Sequence, residues 1–242
     1  LHTAVWMSDL FMQRIEGDQM WSLFDPKIVP HFPDLYGQAF EEAYAQAEEK
    51  QLYSRQVKAR DLYGRIMKAL AETGHPWITF KDASNLKSNQ TGKEDNVIHL
   101  SNLCTEILEV TSKKETAVCN LGSINLSKYV EENTFNFKRL AKNVQTAVLH
   151  LDRVVDINFY PIRTAKSSNS KWRPVGLGIM GLQDVFFKLR MPFDSAEALS
   201  LTAKIQEVIY YNALKTSCEL SKKYGPFEAF KQTKTAQGIL QF

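Results

Sequence analysis

The residues best suited to chemistry lie in Ser101-Asn102-Leu103-Cys104-Thr105-Glu106-Ile107. In an extended segment alternate side chains share a face, so Asn102, Cys104 and Glu106 would point one way and Leu103, Thr105 and Ile107 the other. Same-face groups then stand about 6.5–7 Å apart, roughly the span of a sugar ring. An amide, a thiol and a carboxylate in a row make an odd structural surface and a candidate reactive one. The same pattern also fits a half-buried strand with one polar face and an inert buried cysteine. Fifteen residues on, Cys119 lies in a second extended-looking stretch, Ala117-Val118-Cys119-Asn120-Leu121-Gly122-Ser123. Two such strands could pair and bring the thiols together, which suits thiol redox chemistry or simple burial. A zinc site fits poorly, with no C-x-x-C and with His2, His31, His75, His99 and His150 scattered. Cys218 falls mid-helix and reads as structural filler.

Gly176-Leu177-Gly178-Ile179-Met180-Gly181 matches the G-x-G-x-x-G dinucleotide fingerprint. That fingerprint needs a hydrophobic strand before it and a helix after it. Asn169-Ser170-Lys171-Trp172-Arg173-Pro174 reads as no buried strand. The glycines are better explained by close packing or a tight turn.

These groups need a scaffold, and composition bounds it. The 242 residues carry 30 Lys+Arg against 27 Asp+Glu, a net charge of +3, with 44% hydrophobic residues. That is ordinary globular composition with ample length for a core. So balanced a charge argues against a dedicated DNA or RNA binder. No apolar run is long enough for a membrane-spanning helix, and the first residues lack the basic region of a secretory signal. With 3 cysteines a disulfide framework is not expected, which points to a reducing, cytoplasmic setting. Apolar sequence at both ends suggests an interior piece of a longer polypeptide.

Helical periodicity predicts helices near 38–50, 54–73, 137–156, 178–190 and 195–224, with a shorter one that Gly17 ends. Asp194 or Ser195 caps the last, and Gly225-Pro226 closes it. Trp77–Phe80 is a strand candidate, as are stretches within 97–110 and 116–126; residues 21–37, 82–96 and 163–173 read as loops. Alternating helices and short strands give an α/β or α+β class in which helix dominates.

Read together, these residues resemble the catalytic core of the large (α) subunit of class I ribonucleotide reductase, eukaryotic-type branch. The likeness is carried by the Cys104 and Cys119 segments and by Asp9-Leu10-Phe11-Met12, Trp21-Ser22-Leu23 and Lys87-Ser88-Asn89-Gln90. Arg173-Pro174-Val175-Gly176-Leu177-Gly178, Pro192-Phe193-Asp194-Ser195-Ala196-Glu197-Ala198 and Gly238-Ile239-Leu240-Gln241 add to it. It runs over essentially the whole chain. The resemblance implies part of a ten-stranded α/β barrel ringed by helices, with the reactive cysteine on a central loop.

It further implies that Cys104 becomes a thiyl radical, Glu106 acts as the base, and Asn102 orients the ribose hydroxyls with Ser101 beside the substrate. Cys119 would be one of two reducing thiols. No cofactor is implied for these residues, the radical coming from a separate metal-containing small (β) subunit. The implied partners are a ribonucleoside diphosphate, thioredoxin or glutaredoxin, the rest of the α subunit and a second α chain. The second reducing cysteine, a phosphate-holding Pro-Thr-Ala-Ser-Thr segment and the radical-relaying tyrosines fall outside these residues, so the chain alone is expected not to turn over. Alternatives are an adenosylcobalamin-dependent relative, a thiol–disulfide protein pairing Cys104 with Cys119, and an inert scaffold.

Overall fold

The computed structural model describes residues 2–240. They form two compact units, one running to Ser112 and resuming at Lys231, the other Lys113–Phe230. The mixed α/β, helix-rich class expected from the pattern is what folds. Among the described residues the strands pair into four two-stranded sheets. No described helix is long and apolar enough to cross a membrane.

In the first unit β1 (Ala4–Met7) leads into α1 (Asp9–Glu16), and β2 (Met20–Leu23) follows. Val5 lies in β1, so the short helix that Gly17 ends begins only at Asp9. Ser8 divides the two, its Oγ accepting from Phe11 N at 3.3 Å as an N-cap. Next come α2 (Gly37–Glu49), β3 (Arg55–Lys58), α3 (Ala59–Thr73), β4 (Trp77–Phe80) and α4 (Lys81–Lys87). The expected helix at 54–73 is therefore a strand and a helix in series, and the expected loops at 21–37 and 82–96 contain β2's end and α4.

β1 and β4 run parallel, Ala4 opposite Trp77 and Met7 opposite Phe80. β2 and β3 run antiparallel. Phe11 and Ile15 on α1, Leu62 and Ile66 on α3, and Met7, Trp21 and Ile78 close one core, each helical pair being spaced to share a face. Arg14 holds Glu48 through two 2.6 Å hydrogen bonds, and Ser22 Oγ donates to the same carboxylate at 2.5 Å. Burial opposes ionisation of Glu48, but these hydrogen bonds and the Arg14 charge carry its pKa below the usual value.

The second unit contains β5 (Leu121–Asn125), β6 (Val130–Glu131), β7 (Thr134–Phe135), α5 (Phe137–Ile157) and α6 (Arg163–Trp172). β8 (Gly176–Met180), α7 (Leu182–Leu189) and α8 (Ala196–Tyr224) complete it. Leu140, Val144, Val148, Leu151 and Val155 form the buried stripe of α5, as their spacing predicts. Several of them join Ile205 and Ile209 of α8 in the core. Ser195, not Asp194, caps α8, accepting from Ala198 N at 3.1 Å.

Two expectations are overturned here. Residues 163–172 are helical: the buried face of α6 is Ala165, Ser168, Asn169 and Trp172, helically spaced but half polar. Residues 178–180 belong to β8, and the helix starts only at Leu182. β8 pairs in parallel with β5, Leu121 opposite Gly176 and Asn125 opposite Met180. The glycines of the G-x-G-x-x-G run therefore lie in and just after a strand. A Cβ on Gly176 would sit 2.5 Å from Leu121 Cδ2, and Gly181 adopts φ +73° as the turn leading into α7. Strand pairing and this turn account for the glycines.

Candidate active site

Residues 97–111 form no strand. Their alternating pattern is a loop whose legs are buried and whose tip is exposed. Val97, Ile98 and Val110 are buried, Ile98 completely, whereas Leu103 is 62% exposed and Cys104, Thr105 and Glu106 are exposed beside it. Cys104 lies in a β-turn closed by Thr105 N donating to Asn102 O at 3.1 Å. Asn102 Oδ1 accepts from Ile107 N at 2.9 Å, so its side chain spans the tip. Ser101 Oγ donates to Asn102 O at 3.2 Å. Thr105 holds φ +67°, a left-handed conformation rare for a β-branched residue, with a cost of order 1–3 kcal/mol.

The one-face strand geometry expected for Asn102, Cys104 and Glu106 is thus replaced by a tight turn. The turn still places Ser101, Asn102, Cys104 and Glu106 within one short loop. The half-buried polar strand with an inert buried cysteine does not form, since the thiol is exposed.

The legs are fastened by side chains from the α4 region. Asn85 is fully buried; its Oδ1 accepts from Ile98 N at 2.8 Å and its Nδ2 donates to Ile98 O at 3.0 Å. Ser88 Oγ donates to Leu108 O at 3.2 Å, and Gln90 Oε1 accepts from Val110 N at 2.8 Å. Thr91 Oγ1 donates to Ser88 O at 2.9 Å, tying this segment to itself. His99 bridges Thr111 Oγ1 at 2.9 Å and Asp34 Oδ1 at 2.8 Å. Lys81 Nζ donates to Pro33 O at 2.6 Å, steadying the turn that bears Asp34, and burial lowers the Lys81 pKa.

α4 is itself fixed at both ends. Buried Asp82 accepts from Asp9 N at 2.5 Å and Gly37 N at 2.6 Å, the first residues of α1 and α2. Burial, and then the neighbouring Asp82 carboxylate, raise the pKa of Asp9. At the other end Lys234 Nζ donates to Asn85 O at 3.1 Å and also to Leu86 O. Asn89 Oδ1 accepts from Thr235 N at 2.9 Å. Gly92 lets this C-terminal segment approach: a Cβ there would lie 2.4 Å from the Thr233 carbonyl carbon and 2.6 Å from Lys234 N.

Cys119 belongs to the other unit and is exposed just before β5. Its neighbour Asn120 is buried, donating to Asn169 Oδ1 at 2.6 Å and to Pro174 O at 2.8 Å. Asn169 Nδ2 donates in turn to Asn120 Oδ1 at 3.2 Å and to Tyr160 Oη at 2.5 Å. The thiol thus extends from a backbone pinned one residue away. Cys218, which reads as structural filler from its mid-helix position, is exposed on α8.

Asn85 is the residue that sequence reasoning passed over, and Ser88 and Gln90 entered only through the Lys87-Ser88-Asn89-Gln90 likeness with no role attached, because all three lie in a stretch with no apolar period. The sequence signal they share is a run of amides and hydroxyls too dense for an idle loop.

A family model for the ribonucleotide reductase barrel domain matches residues 1–242. A ribonucleoside-diphosphate reductase large subunit from Danio rerio is 44% identical over 243 residues, covering 100% of this chain and 30% of that protein. The one from Caenorhabditis elegans is 45% identical, covering 100% and 31%. The one from Arabidopsis thaliana is 42% identical over 261 residues, covering 100% and 32%. The chain therefore spans about a third of the length of these curated relatives.

Proposed function

Because the chain belongs to the ribonucleotide reductase barrel-domain family, we propose that it supplies the radical-bearing part of a ribonucleoside-diphosphate reductase large subunit, making DNA precursors. The observation that carries this reading is an exposed Cys104 on a tight turn between Asn102 and Glu106, held by two buried legs. The relatives that support it are diphosphate reductases, which favours this class over the adenosylcobalamin-dependent one.

In the proposed reaction the Cys104 sulfur, as a thiyl radical, takes the hydrogen atom from C3′ of the ribose, forming S–H and a carbon radical. Glu106 accepts the proton of the 3′ hydroxyl. Asn102 Oδ1 is committed to the loop, so its Nδ2 is the group offered to a ribose hydroxyl, with Ser101 beside it. The 2′ hydroxyl gains a proton and leaves as water. Two thiols, Cys119 and a second cysteine of the complete subunit, provide two electrons and two protons and end as a disulfide. Cys104 then returns its hydrogen to C3′, Glu106 gives its proton back to the 3′ oxygen, and the thiyl is regenerated. The radical originates in a separate metal-containing small subunit, and thioredoxin or glutaredoxin reduces the disulfide in a cytoplasmic setting. Assembly as an α homodimer belongs to the same reading.

The test uses the assembled reductase: a complete large subunit carrying this segment, its radical-generating small subunit and a nucleoside diphosphate. Cys119→Ser is expected to allow a substrate-derived radical by electron paramagnetic resonance while sustained turnover is lost. Cys104→Ser is expected to give none. A substrate-derived radical in Cys104→Ser would refute the proposal.

A further inference from the structure

The loop that presents Cys104 has almost no ladder of its own. Between its legs the backbone contributes only Thr111 N to Val97 O, at 3.4 Å. Backbone polar groups on buried legs still require partners, and here one short segment provides them from side chains. Asn85 satisfies both polar groups of Ile98, as a strand neighbour would. Ser88 holds Leu108 O and Gln90 holds Val110 N on the opposite leg.

We infer that Asn85, Ser88 and Gln90 are positioning residues that set where the Cys104 sulfur stands relative to the ribose. The inference rests on the proposed role of Cys104. None of the three needs to touch substrate. They act through the backbone: Cys104 is six residues beyond Ile98 and four before Leu108, so a shift at either leg reaches the tip. Hydrogen-atom transfer needs the reacting atoms about 3–3.5 Å apart, and a misplacement near 1 Å can cost about a hundredfold in rate.

Polarity makes the clamp selective among near-isosteric changes. Asn85 Nδ2 faces two carbonyls, Lys81 O at 3.0 Å and Ile98 O at 3.0 Å. Asn85→Asp would set an oxygen against both and break the clamp with no change in size. Gln90 uses only its acceptor on Val110 N, so Gln90→Glu preserves the contact and Gln90→Met removes it.

The experiment has two arms. On the chain itself, alkylation of Cys104 by iodoacetamide is timed by mass spectrometry, with the exposed Cys119 and Cys218 as internal references. Gln90→Met and Asn85→Asp are expected to change the Cys104 rate several-fold against those references and to speed amide exchange at Val110 and Ile98 respectively. Gln90→Glu is expected to stay near the parent. In the assembled reductase, Gln90→Met is expected to lower kcat about tenfold or more with KM for the nucleoside diphosphate little changed. Gln90→Glu should recover most of the loss.

Unchanged Cys104 labelling and exchange in both disabling variants would overturn the inference. So would a loosened loop with undiminished kcat, or equal losses in Gln90→Met and Gln90→Glu. These failures are separable from failure of the radical assignment, which the Cys104→Ser spectrum decides on its own.

Discussion

Asp82 carries more of the first unit than a single carboxylate usually does, and replacing it tests how α4 is held. Asp82 is 7% exposed, with its two oxygens on the backbone N–H groups of Asp9 and Gly37. Each N–H is the first of its helix and has no partner within that helix. α2 has no other side-chain cap, since Tyr36 makes no capping hydrogen bond. Hydrogen bonds to an ionised acceptor contribute about 1.5–3 kcal/mol each, so the two together come to about 3–6 kcal/mol. Removing the carboxylate also removes the cost of burying it, which offsets part of that sum. Asp82→Ala should therefore destabilise the fold by about 2–4 kcal/mol. At about 2–4 °C per kcal/mol for a chain of this size, Tm falls by about 4–16 °C. Asp82→Asn keeps an acceptor for one helix and should fall between. Differential scanning calorimetry reads the shift, and amide exchange at Asp9 and Gly37 reports whether both helix starts loosen. A Tm for Asp82→Ala within about 1 °C of the parent would refute the reasoning.

Gly92→Ala drives a methyl into the backbone of Gln232, Thr233 and Lys234, with contacts of 2.4–2.7 Å that no rotamer can relieve. The expected cost is about 1–3 kcal/mol or more, with faster exchange at Lys234 and Thr235 amides, and an unchanged melting curve would contradict it. Asp156 is held below the usual carboxylate value chiefly by hydrogen bonds from Arg173; burial opposes this, and the Arg173 and Arg153 charges add to the lowering. Its folded pKa is the lower one, so its stabilisation is complete above the unfolded value near 3.8 and disappears as pH falls through the folded value. Asp156→Asn should lower Tm modestly at neutral pH, the gap to the parent closing below that unfolded value. A gap independent of pH would contradict the assignment.

Much of the scaffold was legible because its buried faces are apolar. α5 follows from Leu140, Val144, Val148 and Val155, and α8 from its Ser195 cap and its Gly225 stop. What escaped notice is polar burial. α6 hides Ser168 and Asn169, and α4 hides Lys81, Asp82 and Asn85, so neither shows a hydrophobic stripe. β8 escaped because Gly176 and Gly178 contribute no side chains to a strand pattern. In residues 97–110 the error ran the other way, for Asn102, Cys104 and Glu106 alternate with Leu103, Thr105 and Ile107 like a strand but form the tip of a loop whose legs Val97, Ile98 and Val110 bury. Asn102, Cys104 and Glu106 share one tight turn and its flank instead of one strand face.

That substitution of a turn for a strand has a chemical logic. On a half-buried strand Cys104, Asn102 and Glu106 would all face one side, and access would depend on what that sheet face met. A turn exposes the thiol whatever packs below it, but a free turn would wander and forfeit the alignment that the proposed hydrogen transfer would require. Rigidity therefore has to come from the legs. Hydrophobic burial of Ile98 and Val110 fixes their depth, and the directional hydrogen bonds from Asn85, Ser88 and Gln90 fix their register. The left-handed Thr105 then aims the tip, its conformational cost offset by the two hydrogen bonds that Asn102 accepts across the turn. Thr105→Gly would relieve that cost yet free the tip, so greater stability and a less well-placed sulfur should arrive together.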